Sequence, residues 1–209
     1  MPKSRNNKKV KALLFDLGKV IVEFDFTPAF ERLSKHCARR PEEIKNVFLC
    51  SGLEVLYDGG KVSTPEFYRR VKKALGHRLD FPRFKKIWNE VFTLNREMAG
   101  IIRKVKEDHR LVLISNTNAM HFDYLRVKYP LLGQFDRFVL SYREKVRKPD
   151  PKIYKKAIEA CRAAPGEILY IDDREDLTNA AAALGLHTFT FKKNPGELLK
   201  KMARLGISC

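Results

Sequence analysis

Four short runs carry the residues that could do chemistry. The apolar run ending at Phe15 delivers Asp16-Leu17-Gly18. A second, Leu111-Val112-Leu113-Ile114, delivers Ser115-Asn116-Thr117-Asn118. Further along come Arg147-Lys148-Pro149-Asp150, and then Ile168-Leu169-Tyr170-Ile171 followed by Asp172-Asp173. Open α/β sheets bind ligands at the carboxyl ends of their strands. If these runs converge there, one crevice gathers a carboxylate, a hydroxyl, an ammonium and an acidic pair. That set describes a magnesium-assisted phosphate site. Carboxylates hold a hard cation that prefers oxygen. Lys and Ser neutralise and orient phosphate oxygens. One carboxylate is left to attack phosphorus.

The elements needed to position these groups are legible as alternating patterns. Strand candidates are 11–15, 111–114, 137–141, 168–171 and 187–191, short and apolar as buried parallel strands should be. Helical patterns lie between them at about 97–108, 119–128, 151–163, 176–184 and 195–204. Pro151 and Pro195 suit first helical positions, with Asp150 and Asn194 as caps. Strands alternating with helices predict a doubly wound, Rossmann-like parallel sheet. Residues 25–95 show helical patterns and no convincing strand. Pro41-Glu42-Glu43-Ile44 opens one helix. Ser63-Thr64-Pro65-Glu66 is a capping box ahead of Phe67, Val71 and Leu75. Asp80-Phe81-Pro82 leads into Phe84, Ile87, Trp88 and Phe92 at helical spacing, and Asp58-Gly59-Gly60 reads as a turn between the second and third helices. The expected division is a flexible basic leader over 1–10, an α/β core over 11–24 and 96–209, and an inserted all-helical cap over 25–95.

At 209 residues the chain is long enough for one sizeable core with an insert. The charge is unusual: 42 Lys+Arg against 25 Asp+Glu leave +17. The leader to Lys11 holds five basic and no acidic residues; 25–95 holds 14 and 9; 96–209 holds 22 and 14. An excess spread this evenly argues against a dedicated basic arm. No stretch approaches the roughly 18 apolar residues of a membrane span, and no signal-peptide core is present. Cys37, Cys50, Cys161 and Cys209 form no CxxC pair. They read as reduced thiols in a cytoplasm.

The order Asp16-x-Gly18-x-Val20, then an apolar strand with Ser115-Asn116, then Lys148-Pro149, then Asp172-Asp173, resembles the haloacid dehalogenase-like hydrolases. The likeness covers nearly the whole chain from Lys11, and the helical insert matches the first-type cap of that superfamily. Tyr57-Asp58-Gly59-Gly60-Lys61-Val62-Ser63, Ser115-Asn116-Thr117-Asn118 and Arg147-Lys148-Pro149 resemble a bacterial branch that includes glucose-1-phosphate phosphatases. The resemblance implies a Mg²⁺-dependent phosphatase acting through an aspartyl phosphate on a small phosphorylated metabolite, a sugar phosphate first among them. It makes Asp16 the nucleophile, Ser115 a hydrogen-bond donor to the phosphoryl group, and Lys148 the charge that holds Asp16 and phosphate. Asn116 would donate to phosphate through backbone or side chain. Mg²⁺ would be held by Asp16, the Gly18 carbonyl and Asp173, with Asp172 as a ligand or its support. Asp176 falls where a supporting acid is common.

The sequence departs from that pattern at Gly18, where most phosphatases of the superfamily carry a second Asp. The backbone carbonyl survives, so metal binding should too, while the usual general acid and base is lost. Positioned acid–base catalysis contributes roughly 10²–10⁴-fold, so slow turnover with a preference for good leaving groups is expected. Asp25 or Glu23 stand as substitutes for the lost acid. Lys19 replaces a residue that is usually small, and Lys145 one that is commonly Gly. In the cap, Asp25, Tyr57 and Asp58 are candidates for substrate contact, whereas the Phe residues and Trp88 read as cap core. His121 could approach the crevice. Two other functions compete: a metal-free haloacid dehalogenase, which Gly18 and the acidic pair disfavour, and a weakly active protein bound to nucleic acid by its basic surface. A monomer and a homodimer both fit the sequence.

Overall fold

The computed structural model describes residues 10–208. The basic leader therefore lies, except for Val10, outside the described residues. Strand β1 (Ala12–Phe15) and β2 (Val22–Phe24) precede five helices: α1 (Thr27–Ser34), α2 (Pro41–Ser51), α3 (Leu53–Asp58), α4 (Thr64–Leu75) and α5 (Phe81–Asn89). Then follow β3 (Phe92–Leu94), α6 (Arg96–Val105), β4 (Arg110–Ser115), α7 (Ala119–Lys128) and β5 (Arg137–Leu140). The chain continues through α8 (Ser141–Glu144), α9 (Pro151–Cys161), β6 (Ile168–Asp172), α10 (Glu175–Ala182), β7 (His187–Thr190) and α11 (Pro195–Arg204).

Five parallel strands form the main sheet in the order β5-β4-β1-β6-β7. The first strand lies in the middle, and the chain winds outward from it in both directions, as the alternating pattern predicts. Strand β1 and the apolar stretch of β4 are buried on both faces, which is why they read as unbroken apolar runs rather than alternating ones. Apolar side chains pack on either side of the sheet in two clusters, one around Phe15, Leu113 and Ile171 and one around Leu14, Val112 and Tyr170. The helix starts follow their caps. Asp150 accepts from Lys152 N, Asn194 from Glu197 N, Ser63 from Glu66 N and Asp80 from Arg83 N.

The region expected to be wholly helical contains a strand. Helix α5 stops at Asn89, and Phe92 opens β3, antiparallel to β2 in a two-stranded ribbon. Phe92 sits at helical spacing from Trp88, and that hid the change; only pairing with residues some 70 positions earlier reveals it. The turn at Asp58-Gly59-Gly60 falls between the third and fourth helices of this region, because Gly52, at φ 63°, breaks one helical stretch into α2 and α3. The predicted cap-core aromatics pack together, Phe48 stacking on Trp88 at 4.4 Å, and Tyr57, a candidate for substrate contact, joins them by stacking on Phe67 at 4.4 Å. No helix among the described residues is long and apolar enough to cross a membrane. Cys37, Cys50 and Cys161 are free thiols.

Candidate active site

Register brings the chemistry together. Asp16 N donates to Ile171 O at 2.9 Å, which sets Asp16 level with Asp172 at the carboxyl end of the sheet. Ser115 ends β4 on the other side of β1. Lys148 reaches in from the loop after α8 and is buried. Its Nζ lies 2.6 Å from Asp16 Oδ1, 2.6 Å from Asp172 Oδ2 and 3.2 Å from the Tyr170 hydroxyl. An ammonium has three hydrogens, so all three are engaged. Tyr170 in turn donates to Asp172 Oδ2, and Arg174 N donates to Asp172 Oδ1 at 2.9 Å. Tyr170 was not anticipated from the sequence. The signal was available, since residues two apart on a strand share a face.

Carboxylate oxygens of Asp16, Asp172 and Asp173 lie within 4.8 Å of one another. Burial pushes the Asp16 carboxyl up to about 7, with Lys148 opposing and Asp172 adding to the rise. Burial also works on Asp172, but Lys148 and Tyr170 outweigh it and hold that carboxyl below its ordinary value. Burial works against the Lys148 charge, yet the two carboxylates carry it up to about 12. Asp173, half-buried, is raised by burial and by its neighbour Asp172. Three carboxylates beside one fully engaged cation are an all-oxygen, electron-rich donor set, and such a set suits a hard divalent ion.

Around this cluster lies a cavity of about 210 Å³ also lined by Gly18, Asp58, Ser115, Asn116 and Arg147. The Ser115 hydroxyl has no hydrogen-bond partner among the described residues and faces this space. Asn116 is committed elsewhere: its Nδ2 donates to Lys148 O at 3.0 Å and its Oδ1 accepts from Lys148 N at 2.8 Å. That pair fixes the Lys148 backbone and leaves Asn116 its main chain and one amide hydrogen for a ligand. Arg147, which carried no role in the sequence reading, lines the cavity, and its buried Nε has no partner.

The remaining predicted residues are placed differently. Asp176 does not join the cluster; it is exposed and pairs with Arg174 at 2.6 Å, because the side chain points off the first turn of α10. Asp25 is exposed and accepts from Thr27 N at 2.9 Å, which holds the chain as it enters α1. It lines neither the cavity around Asp16 nor the apolar pocket beside Ser115 and His121. Glu23 bonds Lys19 and Lys193. Tyr57 is buried under the cap, its hydroxyl bonded to Thr64 Oγ1 at 2.6 Å and accepting from Met120 N. Asp58 does enter the cavity. Its Oδ1 accepts from Asn118 Nδ2 at 2.9 Å. His121 approaches the crevice as a neutral ring: burial pushes its pKa down to about 3, and it stacks against Trp88.

Lys19, at φ 59°, lines the cavity, but its ammonium is committed to neighbours. Its Nζ donates to Phe24 O at 2.7 Å and lies 4.2 Å from the centre of the Phe24 ring. The ring stands directly over Gly18, where an added Cβ would come within 3.0 Å of Phe24 Cε1.

The chain as a whole resembles known proteins. The family model for haloacid dehalogenase-like hydrolases matches residues 10–185. A D-ribitol-5-phosphate phosphatase of Bacteroides thetaiotaomicron is 26% identical over 187 residues, covering 86% of this chain and 91% of the relative. A glyceraldehyde 3-phosphate phosphatase of Pyrococcus abyssi is 27% identical over 205 residues, covering 88% and 82%. A haloacid dehalogenase-like enzyme of Bacteroides thetaiotaomicron, crystallised with magnesium and inorganic phosphate, superposes with a TM-score of 0.77 at 26% identity, covering 88% and 94%.

Proposed function

The chain belongs to the haloacid dehalogenase-like hydrolases, and from that premise we propose that it is a Mg²⁺-dependent phosphatase of small phosphorylated metabolites, most suitably a sugar phosphate. The observation that carries this reading is the trio Asp16, Asp172 and Asp173 within 4.8 Å, beside buried Lys148 and an unengaged Ser115 hydroxyl. The relatives that act on D-ribitol 5-phosphate and glyceraldehyde 3-phosphate support the substrate class. The neighbour crystallised with magnesium and phosphate supports the cofactor.

Asp16, Asp173, Asp172 and the Gly18 carbonyl are the groups that would hold the ion. When bound, the ion supplies positive charge to the phosphoryl oxygens. The protein's own groups do the rest. Lys148 favours the ionised form of Asp16 and orients its carboxylate. Asp16 attacks phosphorus and the bond to the leaving oxygen breaks, giving an aspartyl phosphate; water then attacks phosphorus and returns Asp16. Ser115, the Asn116 main chain and Arg147 receive phosphate oxygens, in a crevice where such charge-assisted bonds are strong. A dehalogenase needs no acidic cluster of this kind, so the cluster favours the phosphatase. Because Gly18 replaces the usual Asp, protonation of a poor leaving group rests on a carboxyl from another element, and turnover without one is slow.

The test is p-nitrophenyl phosphate turnover with Mg²⁺ and with EDTA, beside Asp16→Asn. Turnover that needs Mg²⁺ and is lost in Asp16→Asn is expected; activity that survives either change overturns the reading. A panel of sugar phosphates then fixes the substrate.

A further inference from the structure

Gly18 leaves the departing oxygen without its customary proton donor, and the space for one is taken by the Phe24 ring, pinned by Lys19. A carboxyl for this task has to come from another element. Four line the cavity, and three of them, Asp16, Asp172 and Asp173, make up the acidic cluster. The fourth is Asp58, delivered from the cap by the end of α3. We propose that Asp58 is the general acid and base of the reaction, a role that rests on the phosphatase reading above.

The geometry suits a proton carrier. Asp58 is held at two points: its main-chain oxygen accepts from Ser141 Oγ at 2.5 Å, and its Oδ1 accepts from Asn118 Nδ2 at 2.9 Å. Asn118 cannot swing away. Its other amide hydrogen points to His121 Nδ1 at 3.2 Å, and its Oδ1 accepts from His121 N at 3.0 Å. Asp58 Oδ2 has no hydrogen-bond partner among the described residues and is left for a ligand. The charged groups nearest it are Glu54 one turn earlier on α3 and Arg147 from the loop after α8; Asp16, Lys19, Lys148, Asp172, Asp173 and Arg174 line the same cavity. Burial raises the Asp58 carboxyl above its ordinary value while Asn118 and Arg147 pull it back, so it can carry a proton where a solvated Asp would not.

In the first step Asp16 forms the new P–O bond, the bond to the leaving oxygen breaks, and its electron pair takes the Asp58 proton. In the second, water attacks phosphorus and gives its proton to Asp58, and the P–O bond to Asp16 breaks. Both carboxyls return to their starting state.

Asp58→Asn keeps the acceptor for Asn118 and so keeps the turn. Parent and variant are compared with Mg²⁺ on D-ribitol 5-phosphate, whose alkoxide needs a proton, and on p-nitrophenyl phosphate, whose leaving group does not. The variant is expected to lose about 10²-fold or more in turnover of the alkyl ester. With the aryl ester it should retain a rapid burst of nitrophenolate and then slow, because water has lost its base. The high-pH fall in alkyl turnover that a general acid at Asp58 gives the parent should vanish in the variant. Asp58→Glu should keep part of the activity. Turnover within about twofold of the parent on both esters, or an equal loss on both with no burst, overturns the proposal. A parent without Mg²⁺-dependent turnover, or an active Asp16→Asn, sinks the phosphatase reading instead and is told apart by not involving Asp58.

Discussion

The space above Gly18 can be tested by filling it. In Gly18→Asp the new Cβ would stand 3.0 Å from Phe24 Cε1 and 3.7 Å from Cδ1, before any carboxyl atom is placed. Gly18 does not have a left-handed φ, so the backbone raises no objection and the whole cost falls on the ring. To yield, Phe24 must leave Lys19, a cation–π contact of about 0.5–1 kcal/mol. It must also loosen edge-on contacts with Phe26 at 5.9 Å and Phe92 at 6.1 Å, each about 0.5–1.5 kcal/mol. Overpacking of this kind costs about 1–3 kcal/mol, and a chain of this size loses about 2–4 °C in Tm per kcal/mol. Urea unfolding of the parent, Gly18→Asp, Phe24→Ala and the double variant measures it. Gly18→Asp should cost about 1–3 kcal/mol alone and close to nothing beside Phe24→Ala, while leaving D-ribitol 5-phosphate turnover no faster. An equal cost with and without the ring, or about a 10²-fold gain in turnover from Gly18→Asp alone, refutes the claim that Phe24 holds the place of the missing acid.

Lys148→Met should destabilise by about 3–5 kcal/mol, because Asp16 and Asp172 are left buried without their cation, and should abolish turnover; urea midpoints and p-nitrophenyl phosphate assays check both. Burial raises Glu54 from its usual value to about 7, so the folded chain keeps a proton that the unfolded chain gives up and stability falls as pH rises between about 4.5 and 7. Glu54→Gln should therefore be more stable than the parent at pH 8, with the advantage shrinking toward pH 5, as read by urea melts at the two values. Gly60 has φ 64°, and a Cβ there would run into the Tyr142 carbonyl. Gly60→Ala should lower Tm by several degrees, whereas Gly76→Ala, equally left-handed but open to solvent, should cost less.

The core was legible because its signals are local. Apolar runs end in Asp16, Ser115 and Asp172, and side-chain caps stand one residue before Pro151, Thr64, Phe81 and Pro195. What escaped depends on chain reversals. Phe24 covers Gly18 only because Lys19 turns the backbone and β2 pairs with β3 across five helices. Asp58 carries no motif that tells a substrate contact from a proton carrier; its place is set by Ser141 and Asn118, 83 and 60 positions away. Asp176 and Asp25 fit the sequence pattern but found nearer partners, Arg174 and the Thr27 amide.

Ser115, Asn116, Thr117 and Asn118 each answer to a different address. Ser115 faces the cavity, Asn116 pairs with the Lys148 backbone, Thr117 N donates to Ser141 Oγ, and Asn118 holds Asp58. Such a segment cannot drift piecemeal. A slip of one position at the end of β4 would trade every assignment at once, so insertions and deletions are barred here even where single substitutions are borne. The length of this stretch, as much as its composition, is under constraint.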